Sequence, residues 1–380
     1  MIHRIINKPL AFNKSFFLFG PRGTGKTTWL TSVFPDAIVI NLLEARFFNP
    51  LQADPGRLSD FIPKDHKGWV IIDEVQRVPD CLNEVHHLIE TQKIKFVLTG
   101  SSARKLRRAG INLLAGRAIK YHLYPLTVHE LKEKFDIRKS LKTGHLPATL
   151  SEESPESYLK TYIQIYLREE VFQESLVRKI SHFSKFLEVA SFSQGNLINT
   201  TSIAREVGVD RGTIENYFDI LEDLLIAYRI PCFSKKAKRK TVMASKFYYF
   251  DVGVYRAIRP NGPLDSPDEL GGGALETLVL QELIALNEYF QHGYTLYFWR
   301  TIDGKEIDFV LYGPKGLITI EIKKSGAIRP EDLKGTLLFQ KEYPVAKSFI
   351  FYGGKVREYR QGITCIPVEE ALQSLNDLLD

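Results

Sequence analysis

The stretch GPRGTGKTT, residues 20–28, leaves few folds open to the rest of the chain. Gly20, Gly25, Lys26 and Thr27 fall in the order G-x-x-x-x-G-K-[ST]. The apolar run SFFLF before them reads as a strand, and the residues after Lys26 read as a helix. Glycines let the backbone curl so that successive N–H groups face one anion, and the helix then begins with its positive end aimed at the same anion. A nucleotide is therefore expected along Gly20, Pro21, Arg22, Gly23, Thr24, Gly25, Lys26, Thr27 and Thr28. There Lys26 reaches the β- and γ-phosphates, and the Thr27 hydroxyl ligates Mg²⁺.

Hydrolysis at such a loop needs a second element to hold the metal and the attacking water. GWVIIDE, residues 68–74, supplies it: an apolar, β-rich run suited to a strand buried on both faces, ending in Asp73 and Glu74. Ligands bind beyond the carboxyl ends of parallel strands, so Asp73 is expected at Mg²⁺ and Glu74 as the general base that polarises water. Further strands read as AIVINLL (37–43), KFVLTGSS (95–102) and AIKYHLYPL (118–126), in a β-α-β-α order that points to a parallel α/β sheet. After KFVL come Thr99, Gly100, Ser101 and Ser102, where a polar side chain, Ser101 by preference, is either a γ-phosphate or water contact or a helix cap. Arg117 is either a finger that neutralises transition-state charge on a neighbouring subunit's nucleotide, in a homo-oligomer, or a surface salt-bridge residue.

GPRGTGKTT, WVIIDEVQRVPD, FVLTGSSARKL and LAGRAIKYHLYPLTVHEL together resemble the prokaryotic AAA-type ATPases that carry a C-terminal domain of unknown function. The resemblance implies an AAA-type core over residues 1–135, with ATP and Mg²⁺ as its ligands and the expected ATPase roles for Lys26, Thr27, Asp73 and Glu74.

The middle of the chain, residues 136–250, reads as helical followed by a winged helix. PESYLKTYIQIYLREEVFQES has apolar residues at helical spacing, and SHFSKFLEVASFSQG is a second helix ending near Gly195. TTSIAREVG is a short helix begun by a threonine cap, Gly208 sits in a tight turn, and Asp210 caps RGTIENYFDILEDLL. Two strands follow, LIAYRIPCF and KFYYFDVG, joined by a basic connection with Lys235, Lys236, Lys238, Arg239, Lys240 and Lys246. A basic wing suits DNA phosphates. Asp210, Glu215 and Asp219 suit the second helix poorly to reading bases, and a lid or partner-contact role is the alternative.

The last part, residues 251–380, places charges where strands disfavour them. GGGALETLVLQELIALNEYF reads as an amphipathic helix carrying Glu276. YTLYFWRT, KEIDFVLY and GLITIEIKKS read as strands, the second bearing Asp308 and the third Glu321 and Lys323 on one face. Phosphodiester hydrolysis needs a metal held by carboxylates, an activated water and a positive group on the reacting phosphate. Asp308 and Glu321 would bind the metal, Glu276 would add a contact through water, and Lys323 would orient the water or stabilise charge. Glu306 shares the face of Asp308 and is the rival ligand. This helix-strand-strand order resembles the PD-(D/E)xK nuclease superfamily, whose restriction-endonuclease-like α/β core it implies. The alternatives are a structural Glu321–Lys323 pair, and a domain that binds DNA or a partner without cutting.

Bulk properties narrow the setting. The 380 residues suggest two or three domains, and 25% charged with 44% hydrophobic residues suggests packed globular ones. The net charge of +6 is compatible with nucleic acid. Cys81, Cys232 and Cys365 form no C-x-x-C pair, which speaks against a zinc site or disulfide framework and for a reducing compartment. MIHRIINKPLAF lacks a signal-peptide core, and no apolar run approaches the roughly 18 residues a membrane helix needs, so a cytoplasmic protein is expected. The reading is an ATP-hydrolysing AAA-type protein that couples nucleotide state to DNA binding or processing. The alternative is a nucleotide-dependent switch whose nuclease-like domain is an inactive interaction module.

Overall fold

The computed structural model describes residues 2–6, 14–101, 106, 118–167, 179–234, 244–262 and 267–380. These residues fall into two compact units. One is Ile6–Tyr124 with Asp223–Ile226; the other joins Pro125–Glu222, Ala227–Asp380 and the residues up to Ile5.

The first unit is built on a five-stranded sheet: β1 (Ser15–Phe19), β2 (Ile38–Asn41), β3 (Trp69–Asp73), β4 (Lys95–Gly100) and β5 (Ala118–His122), in the order β2-β3-β4-β1-β5. Every pairing in it is parallel. The strands are short and apolar on both faces, as a sheet covered by helices demands, and Phe17, Phe19, Ile40, Val70, Ile72, Phe96 and Leu98 sit in one core cluster. Helices α1 (Lys26–Val33) and α2 (Cys81–Gln92) contribute buried residues including Trp29, Leu30, Leu82, Val85 and Leu88. With β1 between β4 and β5, the loop after β1 opens beside the ends of β3 and β4. Gly20 follows β1, and only glycine fits there because a Cβ would run into the Leu123 carbonyl oxygen.

The second unit holds two further sheets. Helices Thr200–Val207 and Arg211–Asp223 are joined through Gly208, whose φ of 82° suits glycine, and β6 (Ala227–Ile230) pairs antiparallel with β7 (Lys246–Tyr249). Asp210 caps the second helix by accepting from the Thr213 N–H at 2.9 Å, as its sequence predicts. The first helix is capped by Asn199, which accepts from Ser202 N–H at 3.0 Å, and not by a threonine. Lys235, Lys236, Lys238, Arg239 and Lys240 lie outside the described residues. The acids of the second helix are paired, Glu215 with Arg211 at 2.8 Å and Asp219 with Arg229 at 2.6 Å.

The larger sheet has the order β12-β13-β11-β10-β9-β8, from β8 (Thr295–Arg300), β9 (Glu306–Gly313), β10 (Gly316–Lys323), β11 (Lys347–Tyr352), β12 (Glu358–Arg360) and β13 (Ile363–Pro367). The first three strands form an antiparallel meander. The helix Pro330–Glu342 then crosses over so that β11 lies parallel to β10. The helix Pro267–Tyr289 departs from the amphipathic expectation. Leu275, Leu278, Val279, Leu283 and Leu286 are buried, and so are Thr277, Gln281 and Glu282. A helix enclosed on most sides shows little amphipathic periodicity. No described helix is long and apolar enough to cross a membrane.

Candidate functional site

The glycine-rich loop is closed on itself by its own side chains. Thr24, fully buried, donates its hydroxyl to the Pro21 carbonyl at 2.9 Å. Lys26 is 7% exposed and its ammonium donates to the carbonyls of Gly20 at 2.8 Å and Pro21 at 3.2 Å. Gly25 caps α1 with φ 87°, a left-handed turn that a side chain would strain, and leaves the first N–H groups of the helix facing the loop. Thr27 and Thr28 are exposed at the mouth.

The end of β3 meets this loop. The Thr27 hydroxyl donates to Asp73 Oδ2 at 2.8 Å, and the Thr99 hydroxyl donates to Asp73 Oδ1. Asp73 is 5% exposed, so its carboxylate is held by hydroxyls on two sides. Glu74 follows with φ 59° and ψ 45°, left-handed backbone that costs a non-glycine residue about 1–2 kcal/mol. This turn aims its side chain away from the strand direction. Its N–H donates to Thr99 Oγ1 at 3.3 Å, and its Oε2 accepts from Gln76 Nε2 at 2.5 Å. The same amide donates to Ser101 Oγ at 3.4 Å, so Ser101 reaches the site through Gln76; the residues a helix cap there would serve lie outside the described ones.

Gln76 is the site residue that the sequence reading missed, and Thr99, named there beside the preferred Ser101, is the one of the two that touches Asp73. Each carries a signal in retrospect. Thr99 is the polar residue at the end of a buried strand, and Gly100 beside it lacks the Cβ that would collide with the Gln76 amide. Arg117 lies outside the described residues.

The acids of the second unit also come together, but around a cation of the chain's own. Lys246, read from the sequence as part of the basic wing, is only 2% exposed and opens β7. Its ammonium lies 2.5 Å from Glu306 Oε1, 3.0 Å from Asp308 Oδ1 and 3.8 Å from Glu276 Oε2. A side chain so placed is withdrawn from any phosphate surface, which corrects the wing assignment for this residue. The β9–β10 ladder explains why acids sit in strands here. Beyond the Ile320–Phe309 pair, the Asp308 N–H donates to Glu321 Oε2 at 3.2 Å and the Ile322 N–H donates to Asp308 Oδ2 at 2.9 Å. The carboxylates thus satisfy backbone donors that would otherwise be buried unpaired. Lys323 binds Glu321 Oε1 at 2.6 Å, Arg300 binds Glu306 Oε2 at 3.1 Å, and Tyr248 donates its hydroxyl to Glu276 Oε2 at 2.8 Å.

Burial dominates the titration of this cluster. It pushes Glu276 and Glu321 up to about 8, Asp308 adds to the rise in both, and Lys246 opposes it. Burial alone would lower Lys246, yet Asp308, Glu276 and Glu306 outweigh it and the ammonium is stabilised. A divalent metal does not fit this set as it stands, because Lys246 already fills the space between the carboxylates. Among the described residues, no group of three or more His, Cys, Asp and Glu side chains is placed to hold a metal ion.

Comparison with known proteins agrees with the first unit. Residues 12–132 match the family model described as an AAA domain. Together with the parallel sheet and the phosphate loop, this defines a P-loop domain of the AAA type. Residues 134–265 and 271–371 match two domains of unknown function, DUF8612 and DUF4143. An uncharacterized protein of Methanocaldococcus jannaschii is 24% identical over 353 residues, covering 78% of this chain and 72% of its own length. An uncharacterized protein of Haemophilus influenzae is 23% identical over 275 residues, covering 67% of this chain and 66% of its own. The chain thus spans just under two thirds of that second relative. Among solved structures, a STAND signal-transduction ATPase with a tetratricopeptide repeat sensor from Pyrococcus horikoshii aligns at 14% identity and a TM-score of 0.24, over 77% of this chain and 48% of that one.

Proposed function

We propose that the chain is an ATP- and Mg²⁺-dependent ATPase whose nucleotide state governs what its second unit engages. The observation that carries this reading is the meeting of the Thr27 hydroxyl with the Asp73 carboxylate at the mouth of the phosphate loop. Thr27 and Asp73 would hold Mg²⁺, which would neutralise charge on the β- and γ-phosphates. Lys26 trades its carbonyl partners for phosphate oxygens. Glu74, turned out of the strand by its left-handed backbone, takes a proton from water as the water oxygen attacks the γ-phosphorus. The bond to the β-phosphate oxygen breaks, leaving ADP and inorganic phosphate. Gln76 holds the Glu74 carboxylate until substrate arrives. Arg117 is proposed as the group that a neighbouring copy lends to this site.

Phosphate release with ATP and Mg²⁺ tests the proposal: turnover by the wild type, lost in Lys26→Ala, supports it, and equal rates in the two overturn it.

For the residues after 135, the proposal is a winged-helix segment to 250 and a restriction-nuclease-like domain beyond, engaging DNA through the basic connection. A specific observation favours the version without cleavage: Lys246 sits among the acids that a nuclease would give to its metal. Plasmid and single-stranded DNA with Mg²⁺ or Mn²⁺ discriminate. Intact DNA supports the interaction-module reading, and nicking that disappears in Lys323→Ala overturns it.

A further inference from the structure

We propose that Gln76 is the positioning residue for the base of the first unit, a role that rests on the ATPase reading above. Its amide occupies one oxygen of Glu74, Oε2, and so leaves Oε1 to take the proton of the attacking water. Gln76 stands on the short 3₁₀ turn Val75–Arg77, just past the end of β3, and is 7% exposed. Its two amide protons have two acceptors, Glu74 Oε2 at 2.5 Å and Ser101 Oγ at 3.4 Å. The direction of the amide follows from these acceptors, because the reversed group would set its carbonyl oxygen against a carboxylate. In the direction found, Gln76 Oε1 is buried, and among the described residues it has no hydrogen-bond partner. A buried carbonyl left unpaired is destabilising by itself. The amide therefore lies where it does for its N–H groups, and the stronger of their bonds is the charge-assisted one to Glu74.

The neighbours of Gln76 fix it in turn. Ser101, 1% exposed, ties the amide to the residue after β4. Gly100 makes the space, because a Cβ there would collide with Gln76 Oε1. Glu74 needs such support. Its left-handed backbone leads the side chain off the strand, where its torsions are free to turn. Thr99 Oγ1 holds the root by accepting the Glu74 N–H at 3.3 Å, and Gln76 holds the tip. A base held at both ends presents one oxygen in one direction, which is what an orienting partner supplies to a general base.

The experiment is steady-state phosphate release over a range of ATP concentrations with Mg²⁺. Gln76→Ala is expected to lower kcat about ten- to a hundredfold, the scale of a hydrogen bond to a charged group, with KM for ATP unchanged. Gln76→Leu keeps the bulk without the amide; it should match, and it replaces the alanine variant if that chain does not fold. Gly100→Ala should lower kcat likewise by displacing the amide, and Gly100→Ala/Gln76→Ala should be no slower than Gln76→Ala. In a Glu74→Gln background Gln76→Ala should cost nothing further, because the amide acts through that carboxylate. A merely structural role would raise KM and would add its loss to that of Glu74→Gln. Wild-type or faster kcat in the folded Gln76 variants overturns the proposal, and so does a full further loss in the Glu74→Gln background. Failure of the ATPase reading looks different: wild type then shows no turnover that Lys26→Ala removes, and this proposal falls with it.

Discussion

Both units place a buried lysine close to acidic side chains, and the two lysines are partnered in opposite ways. Lys26 donates to the backbone carbonyls of Gly20 and Pro21, and the nearby Asp73 is held by the hydroxyls of Thr27 and Thr99. These are neutral partners, which an incoming phosphate and metal can replace with stronger charge-assisted bonds. Lys246 is bound to carboxylates, which nothing neutral can displace without stranding a buried charge. The carbonyls beside the first lysine are neutral, and the partners of the second are carboxylates. The same residue types are therefore partnered differently in the two units, by neutral groups at the phosphate loop and by carboxylates at Lys246.

The comparison breaks most visibly at Lys26. Lys26→Ala is expected to lower ATP turnover by about two orders of magnitude or more, the scale for removing a charge-stabilising donor, with little change in the thermal unfolding of the apo protein. Lys246→Ala should do the reverse. Truncating one partner of a buried ion cluster costs about 3–5 kcal/mol, and the lower end applies because Glu276 can keep a proton; denaturant unfolding reads it. If Lys246→Ala is as stable as wild type, the buried ion cluster contributes nothing to the fold. Thr99→Val sharpens the first half: loss of one hydrogen bond to Asp73 is worth about tenfold in turnover at limiting Mg²⁺, recovered at high Mg²⁺.

The smallest effect is a slope. Glu276 and Glu321 titrate near 8 in the folded protein against an ordinary 4.5. Between those values the folded state holds protons that the unfolded chain has released, so these groups stabilise most below about pH 4.5 and lose that contribution as pH rises through 8. Glu321→Gln should flatten the fall in the unfolding midpoint between acid and mildly alkaline pH. An unchanged slope would show that Glu321 is ionised throughout.

The sequence made the phosphate loop and the acids ending β3 legible because their chemistry is local: a few adjacent residues set the turn, the helix start and the strand end. Glu276, Asp308, Glu321 and Lys323 were also legible as a charged group, from strand alternation and the order of elements. Lys246 was not. A basic run, residues 235–240, precedes it in the same connection, so it read as one more surface lysine, and only the β6–β7 pairing carries it into the cluster. Gln76, and the choice of Thr99 over its neighbour Ser101, were obscured for a related reason, since these roles arise where separate strand ends meet. The helix bearing Glu276 read as amphipathic, and its burial depends on elements that pack around it from far along the chain.

The most direct test of the central claim is Glu74→Gln, assayed for bound ATP by filter retention and for phosphate release in the same preparation. The account predicts retained ATP with release slowed by about 10²–10⁴-fold, as for loss of a general base. Release at the wild-type rate would contradict it and move the base elsewhere.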